Sequence, residues 1–218
     1  MRIVKAGFEI MDPLNGEEIL KKIELVARTC YKSEDKITAG SAEKMVRALI
    51  KSGHEAMLEH FSFSVKFIVD RGVSHELVRH RVASFAQEST RYCNYGHEGE
   101  ITVIQPFYLK TPVERIDKEN GDDVKWESWY NSMYSAEKNY MNMIAHGATP
   151  QEARSVLPNS LKTEVVMTAN LREWRHFFKL RALGTTGKPH PQMVEVALPL
   201  LEECKRLIPV VFDDLVKE

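Results

Sequence analysis

Three arginines and a group of hydroxyl and amide side chains are concentrated in one short segment of this 218-residue chain. Arg79 and Arg81 flank His80, and Arg91 follows ten residues later. Between them the sequence supplies Ser84, Gln87, Ser89 and Thr90. Guanidinium groups bind phosphate through several N–H donors at once, and hydroxyl or amide groups can complete a nucleotide site. The segment therefore predicts contacts with anionic, nucleotide-like ligands.

The spacing of the arginines indicates that they serve different partners. Residues 73–82 show helical spacing, which places Arg79 and Arg81 at the end of a helix. Positions two residues apart on a helix are separated by about 200°, so the two guanidinium groups cannot share one face. We expect two separate anionic ligands. A solvated, arginine-rich helix end followed by capping Ser and Thr explains the same residues equally well on chemistry alone.

Composition and charge limit the kind of protein that carries this segment. The formal net charge is −1, with 43% hydrophobic and 28% charged residues, which is typical of globular proteins. This balance argues against a broad basic surface that coats nucleic acid. The chain has no apolar run of about 18 residues and no signal-peptide pattern, so we expect a cytoplasmic protein. Cys30, Cys93 and Cys204 are widely separated, which argues against a disulfide framework and against a cysteine zinc site.

The hydrophobic patterns predict an α+β protein. We expect one domain over residues 1–218, with a largely antiparallel sheet flanked by helices that include one long helix. Strands are expected at residues 2–10, 61–67, 101–104 and 162–168. Helices are expected from about residue 19, at 41–50, 73–82, 124–146, 151–157 and 171–183, and after residue 190. The polar stretch 115–123 is expected to be a mobile excursion.

Several motifs together resemble the flavin-dependent thymidylate synthases. Arg79-His80-Arg81, seven residues and then Ser89 match the R-H-R-x7-S signature of that family. Three further segments resemble family motifs in the same order: His54-Glu55 with Glu59-His60, Ala153-Arg154 with Leu157-Pro158, and Asn170-Leu171-Arg172 with Leu180-Arg181. The resemblance spans roughly residues 50 to 195, and several separated motifs are more specific than one signature.

The resemblance implies a fold, an assembly and a reaction. The family is similar in having one α+β domain that assembles as a homotetramer, with active sites built from more than one subunit. It implies bound FAD that takes electrons from NADPH, and methylenetetrahydrofolate as the one-carbon donor. The implied reaction is the reductive methylation of deoxyuridylate (dUMP) to thymidylate (dTMP).

The resemblance also assigns site residues. It places flavin contacts at His54, Arg79, His80, Arg81, Gln87, Asn170, Arg172, His176 and His190. It places dUMP contacts at Glu76, Arg79, Gln87, Glu88, Ser89, Thr90, Arg91, Arg154 and Arg181. Arg181 is the catalytic candidate, since its family counterpart faces the uracil ring and favours the N3-ionised form. A fixed cation stabilises that anion, so that C5 becomes nucleophilic without a protein nucleophile.

Other readings of the sequence are weaker or stay open. His54 and His60, like His75 and His80, lack the i, i+4 spacing of a zinc-binding helix, so we expect no metal site. A flavin oxidoreductase without nucleotide specificity is one alternative function. A non-catalytic nucleic-acid-binding module, with the arginines of residues 79–91 on phosphates, is another.

Overall fold

The computed structural model describes residues 1–110 and 122–216. Its strands are β1 (Arg2–Val4), β2 (Gly7–Ile10), β3 (Ser62–Asp70), β4 (Ala83–Gln87), β5 (Thr102–Ile104) and β6 (Lys162–Asn170). Its helices are α1 (Gly16–Thr29), α2 (Ser41–Lys51), α3 (Arg71–Leu77), α4 (Asp122–Ala145), α5 (Pro150–Ala153), α6 (Leu171–Phe178) and α7 (Pro191–Leu207). Residues 115–121 of the expected mobile excursion lie outside the described residues. Among the described residues, no helix has the length and apolar character needed to cross a bilayer.

Four strands form an antiparallel sheet in the order β2-β3-β6-β4, which confirms the α+β class. In β3 and β6 alternate side chains are buried, as expected for strands with one face on a core. Strands β1 and β5 form a separate parallel pair, with Arg2 opposite Thr102 and Val4 opposite Ile104. The strand pairing of the chain is therefore largely, but not wholly, antiparallel.

The contacts within the chain define two compact units. The first unit comprises Met1–Gly7, Phe67–Val78 and Ala86–Val165. The second comprises Phe8–Lys66, Arg79–Phe85 and Val166–Glu218. The expectation of one domain over residues 1–218 stays a prediction.

The long helix α4 supplies much of the core of the first unit. Met133 and Tyr140 from α4 pack with Ile101, Val103 and Leu161. The indole of Trp129 donates a hydrogen bond to the Ser160 hydroxyl at 3.1 Å. The amino-terminal ammonium lies 2.9 Å from the Glu137 carboxylate of the same helix. The long helix thus anchors both the β1–β5 pair and the chain terminus.

The second unit has an aromatic core built on α6. The rings of Phe63 and Trp174 stack at 4.9 Å, and the Trp174 indole donates to the Phe63 carbonyl at 3.2 Å. Phe177 and Phe178 are fully buried beside them, and Phe178 packs edge-on against Phe212 at 5.5 Å. This packing fixes the orientation of α6, which carries several of the expected site residues.

Two helices begin directly after strands, each on a capping side chain. The Asp70 carboxylate accepts a hydrogen bond from the Val73 amide at 2.7 Å and starts α3 after β3. The Asn170 side-chain oxygen accepts from the Glu173 amide at 2.9 Å and starts α6 after β6. Such caps satisfy amides that lack partners within the helix. They place Arg71 and Arg172 in the first turn of α3 and of α6, respectively.

The sequence prediction was wrong at three boundaries. Residues 2–10 form two strands in different sheets, not one. Helix α3 ends at Leu77, so Arg79 and Arg81 lie in the turn before β4 and the 200° helical argument does not apply to them. The α-helical part of residues 171–183 ends at Phe178 and continues as a π-helical turn. Strand β4 was not expected, because its pairing with β6 joins residues far apart in sequence.

A buried arginine ties α6 to the end of the chain. Arg175 is 2% exposed and donates to both carboxylate oxygens of Asp214, at 2.6 and 2.7 Å. It also donates to Glu55 at 3.1 Å. Burial alone would raise the pKa of Asp214, but the hydrogen bonds and charge of Arg175 outweigh burial and hold that pKa below its ordinary value.

We predict that Asp214→Asn lowers the free energy of unfolding at pH 7 by about 1–2 kcal/mol, as loss of a partly exposed charged hydrogen bond should. Because the folded pKa of Asp214 is depressed, its stabilisation is complete above the ordinary aspartate pKa. It is lost as the pH falls through the lower folded pKa. Urea unfolding of wild type and variant, at pH 7 and in acid, measures the difference.

The neighbouring substitution Asp213→Asn is the control, since Asp213 lies 3.6 Å from the exposed Arg47 and should matter less. Equal losses for the two variants, or a difference that does not shrink in acid, would contradict the assignment.

Candidate functional site

His80 is the buried member of the Arg79–Arg81 triplet, with 3% of its surface exposed. Its Nδ1 lies 2.8 Å from Oε1 of Glu173, and its Nε2 lies 3.2 Å from Nε of Arg181, which donates to it. A neutral imidazole carries one proton, and the arginine can only donate. The Nδ1–H of His80 therefore donates to Glu173, while Nε2 accepts from Arg181.

The charge state of His80 agrees with this arrangement. Burial lowers the pKa of His80, because it disfavours the imidazolium form. Glu173 acts in the opposite direction, while the neighbouring Arg181 and His176 lower the pKa of His80 further. The net direction is downward, so His80 is neutral at neutral pH and can accept the Arg181 hydrogen bond.

Arg181 lies on the π-helical turn Lys179–Leu183 that follows α6. Turns of this kind are frequent at functional sites. The turn ends at Gly184, whose φ is +77°. A Cβ at Gly184 would meet the Gly187 carbonyl oxygen and Pro189 Cδ at 2.8 Å. The glycine therefore allows the chain to leave the turn that carries the half-buried Arg181.

A polar cavity of about 380 Å³ in the second unit contains three of the expected flavin residues, Asn170, Arg172 and His176. Glu55, Glu59, Val82, Glu173 and Lys179 also line it. The oxygen of Asn170 is used in the helix cap, which leaves its amide nitrogen as a donor for a ligand. The Arg172 guanidinium donates to Glu59 at 2.6 Å. The cavity can hydrogen-bond both donor and acceptor edges of a ligand.

A second cavity, of about 450 Å³, contains His54 and again Arg172. Its apolar lining includes Ala27, Met45, Leu49 and Met57. His54 is placed by Gly53, which has a φ of +73° and lets the His54 amide donate to the Leu49 carbonyl at 2.9 Å. A cavity with apolar walls and a few polar groups suits a planar heterocycle with polar edges.

The first unit contains a cationic cavity of about 490 Å³. Arg71, His75, Thr90, Gln151 and Arg154 line it, together with Ser155, Leu157, Pro158, Asn159 and Leu161. None of these described lining residues is acidic. Within the described parts of the chain, neither Arg71 nor Arg154 forms an ion pair. An anion is the ligand that such a donor set favours.

Arg91 and Ser89 lie in one turn of the first unit. The Arg91 guanidinium donates to the Gln151 side chain at 2.8 Å, and Gln151 lines the cationic cavity. The Ser89 hydroxyl accepts from the Arg91 amide at 3.3 Å. Thr90, between them, is buried and reaches the cavity lining. Of these three expected residues, Thr90 lines the cavity and Arg91 contacts one of its lining residues.

Gln87 and Glu88 are engaged inside the first unit. The Gln87 amide donates to the hydroxyls of Ser74 and Thr163, at 3.0 and 3.3 Å. The Glu88 carboxylate accepts from the Tyr95 hydroxyl at 2.7 Å. Both side chains hold the segment in place, and their expected ligand contacts stay predictions.

The remaining expected residues lie apart from these clusters. Arg79, Arg81 and His190 are exposed, and the three cavities described above do not include them. Glu76 is half-buried on α3. Their ligand roles stay predictions.

The sequence analysis missed four residues that the structure brings into these sites. Arg71 and His75 occur at i, i+4 on α3, a spacing that places them on one face of a helix and could have been noticed. Glu173 and Gln151 carry no local signal, because Glu173 meets a residue 93 positions away and Gln151 one 60 positions away.

His80, Glu173 and His176 also form a group with the composition of a metal site, with ligand atoms within 4.8 Å of one another. Both nitrogens of His80 are already hydrogen-bonded, however, so a metal would have to displace Glu173 or Arg181. The expectation of no metal stays a prediction.

Comparisons with known proteins show which protein family this chain matches. Residues 15–210 match the family model of the thymidylate synthase complementing protein. A flavin-dependent thymidylate synthase of Corynebacterium efficiens is 33% identical over 210 residues, which covers 92% of this chain and 80% of the relative. One of Geobacter sulfurreducens is 29% identical over 199 residues, covering 88% and 80%.

A solved structure shows the same fold. The UMP/dUMP methylase PolB from Streptomyces cacaoi, bound with 5-Br dUMP, is similar with a TM-score of 0.80. The identity is 22%, and the match covers 98% of this chain and 96% of that chain.

We predict that Arg71→Ala and Arg154→Ala each weaken the binding of inorganic phosphate about tenfold, as loss of one charge-assisted contact should. Calorimetric titration of phosphate into the protein measures the affinity. Arg47→Ala, which removes an exposed arginine paired with Glu43, is the matched control and should bind phosphate normally. Unchanged affinity in both cavity variants would refute the anion site.

Proposed function

The chain belongs to the thymidylate synthase complementing protein family, and on that premise we propose that it converts dUMP to dTMP with FAD, NADPH and methylenetetrahydrofolate. The enzyme is a methyltransferase of the flavin-dependent thymidylate synthase type. The observation that carries the proposal is the half-buried Arg181 guanidinium, whose Nε is held by the neutral His80. A cation fixed in this way can stabilise negative charge that develops on a pyrimidine ring.

The cationic cavity of the first unit is the proposed site of the dUMP phosphate. Arg71 and Arg154 supply charge, and Thr90 supplies a hydroxyl. Arg91, through Gln151, borders the same cavity. Glu76, Arg79, Gln87, Glu88 and Ser89 remain proposed nucleotide contacts. PolB, which has the same fold, was solved with 5-Br dUMP, and that likeness is in keeping with a nucleotide ligand.

The cavities of the second unit are the proposed FAD site. Asn170, Arg172 and His176 offer hydrogen-bond donors, and His54 borders apolar walls. This combination fits FAD, which joins a flat ring system to a charged diphosphate. The proposal extends the cofactor contacts to Arg79, His80, Arg81, Gln87 and His190. A flavin held by these residues would supply hydride-transfer chemistry, with NADPH as the source of electrons.

Arg181 is the proposed catalytic residue. Its fixed charge favours loss of the uracil N3 proton, because a nearby cation stabilises the anion in a site with little water. The charge delocalised from N3 makes C5 nucleophilic. C5 then bonds to the one-carbon unit while the bonds between that carbon and the folate nitrogens break, and C5 releases its hydrogen as a proton. The chain needs no attacking side chain for this step.

The surroundings of Cys204 and Ser89 support a mechanism without a protein nucleophile. Cys204 is buried, and burial raises its pKa to about 12, so it stays a thiol at neutral pH. The Ser89 hydroxyl accepts a hydrogen bond from the Arg91 amide. Neither group is prepared to attack the pyrimidine.

We also propose a homotetramer in which ligands contact residues of more than one subunit. Arg79 and Arg81 are exposed and form no ion pair within the described residues. Exposed guanidinium groups of this kind are available to a ligand or to a neighbouring subunit.

The test supplies dUMP, tritiated at C5, with FAD, NADPH and methylenetetrahydrofolate. We expect tritium release to water in step with dTMP formation, since methylation at C5 displaces that hydrogen. NADPH oxidation without tritium release would instead identify a flavin oxidoreductase. Absence of turnover and of bound flavin, with DNA affinity that falls steeply with salt, would identify a nucleic-acid-binding module.

Two variants separate the proposed roles in this assay. Arg181→Met should retain FAD and lose dTMP formation by about 100-fold or more, the usual cost of removing an electrostatic stabiliser. Arg81→Ala should instead weaken FAD retention. Near-normal dTMP formation by Arg181→Met would refute the catalytic assignment.

A further inference from the structure

We propose that Glu173 is a positioning residue for the methylation, which acts by fixing the tautomer of His80 and thereby the orientation of Arg181. The inference rests on the proposed function for its catalytic consequence. Glu173 was not among the expected site residues, and its role follows from its contact with His80.

Glu173 is held in place at both its backbone amide and its carboxylate. Its backbone amide is capped by the Asn170 side chain at 2.9 Å, which fixes the first turn of α6. The residue is 8% exposed, and its Oε1 lies 2.8 Å from Nδ1 of His80. The carboxylate is therefore held against one nitrogen of the imidazole by the helix that carries it.

The carboxylate of Glu173 determines the tautomer of His80. An ionised carboxylate can only accept hydrogen bonds, so it selects the tautomer with the proton on Nδ1. The lone pair on Nε2 then faces Nε of Arg181, at 3.2 Å. With the opposite tautomer, two N–H donors would face each other and Arg181 would lose this anchor.

The groups around His80 support this assignment. The imidazole is packed by the Phe177 ring at 5.1 Å and by the edge of the His176 ring at 5.7 Å. These rings confine the imidazole plane but leave its proton position undetermined. Glu173 and Arg181 are the hydrogen-bond partners of its two nitrogens, so the acid determines what the arginine meets.

Glu173 also reaches the polar cavity that holds Asn170, Arg172 and His176. The same side chain thus borders the proposed flavin site and supports the proposed catalytic arginine through His80. Loss of its charge should disturb the orientation of Arg181 more than the affinity for substrate.

The first test is Glu173→Gln, which keeps the size of the side chain but can present either an acceptor or a donor to His80. We expect kcat for dTMP formation to fall about 10- to 100-fold, as for other outer-shell partners of a functional histidine. The KM for dUMP and the retained FAD should change little. Glu173→Asp, which keeps an acceptor-only carboxylate, should recover part of kcat.

A double-mutant cycle tests whether Glu173 acts through Arg181. In the Arg181→Met background, Glu173→Gln should cause no further loss of kcat, because the group that it orients is gone. Losses that multiply would overturn the proposal. Glu137→Gln is the matched control, since its carboxylate is 12% exposed against 9% for Glu173 but belongs to the first unit and pairs with the amino-terminal ammonium. It should leave kcat unchanged.

A measurement without turnover separates this inference from the proposed function. NMR titration of His80 should show its pKa lowered further in Glu173→Gln, which removes the influence that raises it. It should show the pKa raised in Arg181→Met, which removes a cation. If both pKa shifts are observed but the protein forms no dTMP, the proposed function is refuted. The hydrogen bonds from Glu173 through His80 to Arg181 are then still supported. Normal kcat in Glu173→Gln, in an active wild type, would refute the positioning role alone.

Discussion

Both ring nitrogens of a buried imidazole need hydrogen-bond partners, and the contacts of His80 in the second unit follow from this requirement. An unsatisfied polar nitrogen in the interior costs roughly 1–3 kcal/mol, so a buried histidine demands partners of the correct kind. Glu173 accepts from one nitrogen and Arg181 donates to the other. A carboxylate, a neutral ring and a guanidinium therefore form one chain of directed contacts. Within it, the signature histidine connects two other residues and is itself shielded from solvent.

Two strand-to-helix junctions supply further site residues. In the first unit β3 runs into α3, where the Asp70 cap starts the helix and brings Arg71 into its first turn. In the second unit β6 runs into α6, where the Asn170 cap brings Arg172 and Glu173 into position. Strand ends anchored in a sheet give such side chains a rigid base. A capped strand-to-helix junction therefore contributes to the cationic cavity in the first unit and to the polar cavity in the second.

The sequence predicted those parts of the fold whose signal is local. Strand β3 alternates along its own length, and α4 is long enough to be recognised alone, so both were expected correctly. The break between β1 and β2, and the existence of β4, depend on pairing with distant strands and carry no local signal. Motif resemblance located His80 and Arg181, but their direct contact joins residues 101 positions apart and required the structure. Glu173 was missed for the same physical reason.

The Arg79–Arg81 triplet has a different geometry from the one that the sequence predicted. Arg79 and Arg81 were expected to diverge because of helical spacing, yet they lie in a turn that follows the helix. They are exposed while the histidine between them is buried, because that histidine satisfies Glu173 and Arg181. Burial thus distinguishes the central histidine from its neighbours, while separate ligands for Arg79 and Arg81 stay a prediction.

The tautomer of His80 in the wild-type protein tests this account most directly. Nitrogen-15 and carbon-13 NMR of histidine-labelled protein at pH 7 reports the protonation of each ring nitrogen. The account predicts a neutral imidazole with its proton on Nδ1 and a lone pair on Nε2. An imidazolium, or a neutral ring with its proton on Nε2, would contradict it.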